Sequence, residues 1–145
     1  MSVVNPSDQQ LNTLLKHFEN KRFSEAKELA TSITQEFPKH PFAWKTLGAI
    51  FTETGEISEA VNAEQTAVTL SPKDPEAHYN LGNTLKELGR LEEAKSSFIK
   101  TIELDPDYVE AHNNLGTALL GLGRFEEAKS SFIKAIELKP DIAEL

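Results

Sequence analysis

The chain has no cysteine, one methionine, one tryptophan, and only 15 lysines and arginines against 23 aspartates and glutamates. The absence of thiols excludes disulfides and thiolate metal sites and fits a reducing compartment. The shortage of positive charge leaves a formal net charge of −8 at pH 7. That argues against nucleic acid as a partner, because affinity for a phosphate backbone comes largely from lysine and arginine. No stretch approaches the roughly 18 consecutive apolar residues of a membrane span. Met1 to Gln10 also lacks the basic start and apolar stretch of a secretory signal. The expectation is a cytoplasmic protein that engages neither nucleic acid nor membrane.

Proline and glycine are sparse too, at seven each, but they are not scattered. Pro38, Pro72, Pro106 and Pro140 fall at a fixed step of 34 residues. The same step carries Leu47, Leu81 and Leu115, each followed by glycine, then Gly55, Gly89 and Gly123, and also Ala26, Ala60, Ala94 and Ala128. Such a period means a repeat array, in which each unit buries its apolar face against its neighbours. Each unit reads as two helices. The first helices are predicted near 8–20, 41–54, 75–88 and 109–122, and their partners near 24–37, 58–70, 92–104 and 126–138. In the third unit Leu81, Leu85 and Leu88 recur at helical spacing, and Leu91, Ala94, Phe98 and Ile102 do so after Gly89.

Gly82 and Ala94 are small where the two helices of a pair should cross closely. Glu64 stands where later units have Phe98 and Phe132, so packing in the second unit is expected to be more polar. Ser24 and Ser58 are candidate N-caps of second helices. The acidic pairs Glu92-Glu93 and Glu126-Glu127 suit the positive end of a helix. Pro72, Pro106 and Pro140 should stop the second helices, since proline cannot continue the hydrogen-bond ladder.

The run from Trp44 through Leu47 and Gly48 to Phe51 follows the W-x2-L-G-x2-Y opening of the tetratricopeptide repeat, which Ala60 and Pro72 complete. The third unit, from Ala77 through Leu81-Gly82 to Phe98 and Pro106, and the fourth, from Ala111 through Leu115-Gly116 to Phe132 and Pro140, resemble it as well. The first is degenerate, with Thr13-Leu14 in place of Leu-Gly and His17 in place of the aromatic residue, and reads as an end cap. The resemblance implies an all-α fold, a right-handed α-solenoid of four helix-turn-helix units. They lie at about 7–40, 41–74, 75–108 and 109–142 of a single array over 1–145. It also implies a concave face, lined by the first helices, that grips an extended peptide or a partner helix.

Residues at i, i+4, i+7 and i+11 share one helical face. The column Asn12, Thr46, Asn80, Asn114 is almost wholly amide or hydroxyl, with Asn83 and Thr117 in the next column and Lys45, Tyr79 and Asn113 alongside. An asparagine offers two donors and an acceptor, so it can bond to the backbone of an extended peptide whatever its side chains. The pattern resembles the asparagine ladder in the repeat arm of O-linked N-acetylglucosamine transferases. These nine residues are the candidate peptide contacts. Asp8, Glu19, Glu53, Glu76, Glu87 and Glu110 flank them, so the groove should favour neutral or basic segments. A carboxylate clamp for acidic tails is not expected, because only Lys45 and Asn80 fit it and Glu110 sits where a base is wanted.

Leu11, Leu15, Phe18 and Phe42 form a candidate apolar contact at the amino-terminal end, or else belong to a thick capping helix. At the other end Leu145 falls as a fifth pair would begin, leaving Phe132, Ile136 and Leu138 as candidates for self-association and a homo-oligomer. No catalytic constellation is present. Ser96-Ser97 and Ser130-Ser131 lack an activating histidine and acid, and His78 and His112, in the place of Trp44, read as packing residues. No cofactor, metal or enzyme activity is expected. The stretch from Leu14 to Pro41, with the run Ser32 to Pro41 in it, also resembles the opening of bacterial proteins that join such repeats to sulfotransferase or glycosyltransferase domains. That resemblance makes a docking arm of a larger enzyme the alternative to a peptide-binding scaffold.

Overall fold

The computed structural model describes residues 5–139. These residues form eight helices: α1 (Asp8–Glu19), α2 (Phe23–Glu36), α3 (Pro41–Glu53), α4 (Ile57–Leu70), α5 (Pro75–Glu87), α6 (Leu91–Leu104), α7 (Val109–Gly121) and α8 (Phe125–Leu138). The all-α reading and all eight spans hold to within a residue or two. α4 ends at Leu70 and α6 at Leu104, two residues before Pro72 and Pro106. Pro140 lies outside the described residues. The helices divide into two compact halves, one ending at Pro72 and one beginning at Lys73.

In the first half, Leu14, Ala26, Ala30, Ile33, Phe37, Ala43, Leu47, Ile50 and Ala63 form the buried core. Gly48 lets α4 approach α3 so closely that a Cβ there would lie 2.6 Å from Cγ of Glu64. Glu64 is buried, and the hydroxyl of Thr52 donates to its Oε1 over 3.5 Å, which is the more polar packing expected of this unit. In the second half Phe98 is 0 % exposed and fills the same notch beside Gly82, with Leu85, Thr84 and Thr101 also buried.

One device joins the helices of every pair. The N–H of Arg22 donates to the carbonyl of His17 over 2.8 Å, and Glu56, Arg90 and Arg124 repeat the bond to Phe51, Leu85 and Leu119. This six-residue closure satisfies carbonyls at the end of the first helix and needs a left-handed residue just before the donor. Gly55, Gly89 and Gly123 supply it at φ of 77° to 79°, and Lys21 supplies it in the first unit at φ 59°. The capping unit therefore keeps the turn although it has lost the glycine.

The expected caps at Ser24 and Ser58 are not found. α2 and α4 begin one residue earlier, at Phe23 and Ile57, so the serines fall inside the first turn and Arg22 and Glu56 occupy the cap positions without a side-chain bond. The reason is that the donor of the turn closure is itself the cap residue, which fixes where the second helix starts. Side-chain caps appear instead on first helices. Ser7 and Gln10 form a reciprocal capping box on α1, and Asp74 accepts from the N–H of Glu76 on α5. α3 and α5 each open with proline, which loses nothing at a position whose N–H has no helical partner.

Candidate functional site

Tyr79, Asn80 and Asn83 lie on α5, and Asn113, Asn114 and Thr117 on α7. The structure draws three of them, Tyr79, Asn83 and Asn114, into one network. The side-chain N–H groups of Asn114 donate to the hydroxyl of Tyr79 at 3.0 Å and to Oδ1 of Asn83 at 2.8 Å. Lys86 donates to Oδ1 of Asn114 at 3.4 Å. The Asn114 amide is thus engaged on both sides and holds α5 to α7. The amides of Asn80 and Asn113 make no hydrogen bond among the described residues, and the NH2 of Asn83 is left over from its own bond. Thr117 turns its hydroxyl back to the carbonyl of Asn113 at 3.2 Å, a local bond that faces solvent.

Tyr79 is more than a flanking residue. Its ring lies 4.9 Å from that of Tyr108 and 6.0 Å from that of Phe98, so it ties the polar network to the core. Tyr108 escaped the sequence reading because it lies in the turn before α7, in the repeat position of Asp74, where no column of helix positions reaches it. The signal was that it is one of only two tyrosines in the chain.

Burial of the Tyr108 hydroxyl, with the negative charges of Glu76, Tyr79, Glu110 and Asp74 after it, pushes its pKa from the usual 10.0 up to about 12. A raised pKa means the folded chain holds the proton more tightly. The contribution is fully present below pH 10 and is lost as pH rises through about 12. Tyrosinate absorbance of Tyr79→Phe, which leaves Tyr108 as the lone tyrosine, is expected to titrate near 12. Tyr108→Phe should remove part of the alkaline loss of stability. A midpoint near 10 in the folded protein would overturn this.

In the first half the candidates differ in exposure. Thr46 is 7 % exposed, Lys45 is half-buried and Asn12 is exposed. Leu11, Leu15, Phe18 and Phe42 are all half-buried. Phe18 packs on the core and meets Phe23 edge-on at 6.0 Å, which favours the capping-helix reading for that residue. A groove of about 330 Å³ opens elsewhere, between α2 and α4, over a floor of Trp44, Leu47 and Phe51. It holds none of the predicted contacts. Asp8, Glu19, Glu53, Glu76, Glu87 and Glu110 are all exposed, so the acidic flank is real surface charge.

Trp44 and His112, equivalent in the repeat, share a task beyond packing. Nε1 of Trp44 donates to the carbonyl of Pro38 at 2.8 Å, and Nε2 of His112 makes the same 2.8 Å bond to the carbonyl of Pro106. Each ring N–H pins the first helix of its unit to the turn before it. That explains how histidine can replace tryptophan here. Among the described residues no cluster of histidines and acids could hold a metal ion, and no helix is long and apolar enough to cross a membrane.

This architecture defines a helical-repeat interaction protein. The TPR-repeat family profile matches residues 48–89 and 82–123, and the tetratricopeptide-repeat profile matches 109–142. The chain belongs to the tetratricopeptide repeat (TPR) family. Among solved structures it is similar to MamA, with a TM-score of 0.87 and 25 % identity over 94 % of this chain and 80 % of that one. It is also similar to YrrB, a TPR protein with an unusual peptide-binding site, with a TM-score of 0.84 and 26 % identity over 91 % of this chain and 68 % of YrrB. MamA from Desulfovibrio magneticus RS-1 shares the fold, with a TM-score of 0.84 and 21 % identity over 91 % of this chain and 75 % of that one. No curated protein matches the sequence.

Proposed function

We propose that the chain is a non-catalytic interaction module that holds an extended, neutral or basic peptide along α5 and α7. The observation that carries this reading is the amide lattice of the second half. Asn114, engaged by Tyr79, Asn83 and Lys86, fixes the geometry. Asn80, Asn113 and the NH2 of Asn83 are then the groups that meet a backbone, which needs donors and acceptors independent of side-chain identity. Glu76 and Glu110, whose charges already act on Tyr108, set the preference against acidic segments. The peptide-binding site of YrrB, on the same fold, supports the class of ligand. Family membership supports a scaffold over an enzyme, and the docking-arm alternative would use the same face.

The test is selection of peptides from a random display library, followed by affinity measurement on the selected sequences. Selected peptides should be neutral or basic. Asn80→Ala should weaken binding roughly three- to tenfold, the loss of one or two net hydrogen bonds, and Asn114→Ala should weaken it too by releasing Tyr79 and Asn83 from their places. Acidic selected peptides, or affinities untouched by both substitutions, would refute the reading.

A further inference from the structure

The groove over Trp44, Leu47 and Phe51 has a counterpart two units on, and one side chain present there is missing here. Between α6 and α8 the corresponding groove, about 250 Å³, is lined by Ile99, Leu115 and Leu119 together with Arg124 and Glu127. Arg124 donates from Nε and Nη2 to the two carboxylate oxygens of Glu127 at 2.5 and 2.9 Å. Arg90 makes the same fork on Glu93, at 2.9 and 2.6 Å. An arginine stands three residues before the acid in Arg22 and Glu25, Arg90 and Glu93, and Arg124 and Glu127. The second unit breaks the pattern, with Glu56 ahead of Glu59.

The result is an unpartnered carboxylate at the rim of an apolar floor. Glu59 is exposed, is the one ionisable residue in the lining of the groove, and its side chain makes no ion pair or hydrogen bond among the described residues. Glu56 is already engaged. Lys27 reaches across from α2 to both of its oxygens at 3.1 Å, and the hydroxyl of Thr54 donates to it at 2.6 Å. That bridge cancels its own charge and leaves the charge of Glu59 in place. Wall and floor differ as well: Thr31 stands for Ile99, Trp44 for His112 and Phe51 for Leu119. The groove of the first half is therefore the larger, at about 330 Å³, and its floor is aromatic. The indole is fixed by its N–H bond to the carbonyl of Pro38, and Trp44 and Phe51 are only half-buried, so both rings keep surface open to an incoming group.

We propose that this groove receives an arginine side chain of a protein partner, with its guanidinium beside Glu59 in the place that Arg124 holds beside Glu127. The planar fork of a guanidinium meets both carboxylate oxygens at once, as the chain's own pairs do. Its weakly hydrated face and methylene stem lie on tryptophan and phenylalanine rings. A lysine would meet Glu59 only as a point charge, and an acidic side chain would be repelled. The groove belongs wholly to the first half, so this assignment does not rest on the amide lattice of α5 and α7.

Trp44 is the chain's single tryptophan, so its emission reports directly on the groove. The probe is the peptide acetyl-Gly-Ala-Arg-Ala-Gly amide, compared with the same peptide carrying lysine or citrulline in place of arginine. The arginine peptide should change the emission of the intact chain saturably in the millimolar range, and the other two should bind at least about threefold more weakly. Glu59→Gln should lower the affinity about three- to tenfold, the share of a charge-assisted pair near the surface, and added salt should lower it too. Glu56→Arg is the sharper variant. It restores the arginine of the other units ahead of Glu59 and should close the site from within. Thr31→Ile, which copies Ile99, should weaken binding by filling the wall. None of Thr31, Glu56 and Glu59 is buried, so helicity by circular dichroism should be unchanged in all three variants. A flat titration up to tens of millimolar overturns the proposal. Equal binding of the citrulline peptide overturns it by leaving the apolar floor alone responsible, and equal binding of the lysine peptide by reducing the site to a general negative field. Affinity unchanged in both Glu59→Gln and Glu56→Arg does the same.

Discussion

Phe98→Ala is expected to lower the unfolding free energy by about 3–5 kcal/mol, and Phe132→Ala by distinctly less. The two phenylalanines occupy the same repeat position in helices of almost the same sequence, each facing a glycine of the preceding helix. Propensity, local sequence and the helical partner are therefore matched. What differs is cover. Phe98 is the largest fully buried side chain and is enclosed on every side, so its removal leaves a cavity that α5, α6 and α7 cannot close together. Phe132 keeps only the partner side of that environment. A loss on the upper side approaches the whole stability of a small domain, about 5–15 kcal/mol. In a repeat array, where stability is a sum of unit and neighbour terms, it should also uncouple the α7–α8 pair from the α5–α6 pair. Urea denaturation followed by circular dichroism checks both points: Phe98→Ala should shift the midpoint most and broaden the transition. Equal losses at the two positions would mean that α7 contributes nothing to the burial of Phe98.

The same matched positions explain how far the sequence could be read. Helix number and limits were legible because the glycine turn and the proline stop recur at one period, and a repeated signal averages out local ambiguity. The caps at Ser24 and Ser58 were misread because a serine near a helix start looks like an N-cap in sequence, whereas here the backbone closure at Arg22 and Glu56 had already set the start. Lys21 shows the converse. Nothing in its side chain announces a left-handed residue, and only its place one period before Gly55 does so. At the candidate site, the amide column was legible from helical spacing, but the pairing within it was not. Whether Asn114 faces a ligand or bonds to Tyr79 and Asn83 depends on the distance between α5 and α7, and no spacing along the chain encodes that distance. Tyr108 was missed for a related reason: it reaches the network from a turn, outside any helical period.

Gly82→Ala should destabilise the protein by about 1–3 kcal/mol, against the ordinary gain of about 1 kcal/mol when alanine replaces glycine inside a helix. The added methyl would lie 2.6 Å from Cε1 and 2.8 Å from Cδ1 of Phe98, closer than carbon atoms approach. A ring that is wholly enclosed has nowhere to swing, so α5 and α6 must part instead. The other two notches predict a rank order rather than a repeat of this cost. At Gly116 the methyl would meet the ring of Phe132 at 2.7 Å, but that ring is only half-buried and has an open side towards which it can turn. At Gly48 the neighbour is Cγ of Glu64 at 2.6 Å, part of a chain with more rotatable bonds than a ring, although it is buried. Gly82→Ala should therefore cost the most. The helical propensity gain should offset a larger share of the cost at Gly116 and Gly48. Shortening the ring supplies the control: in a Phe98→Leu background, Gly82→Ala should cost much less than in the natural protein, with a coupling energy of about 1–3 kcal/mol of compensating sign. Additive losses in the double variant would show that the methyl is accommodated elsewhere, and that the close approach of α5 and α6 does not depend on the missing side chain at Gly82.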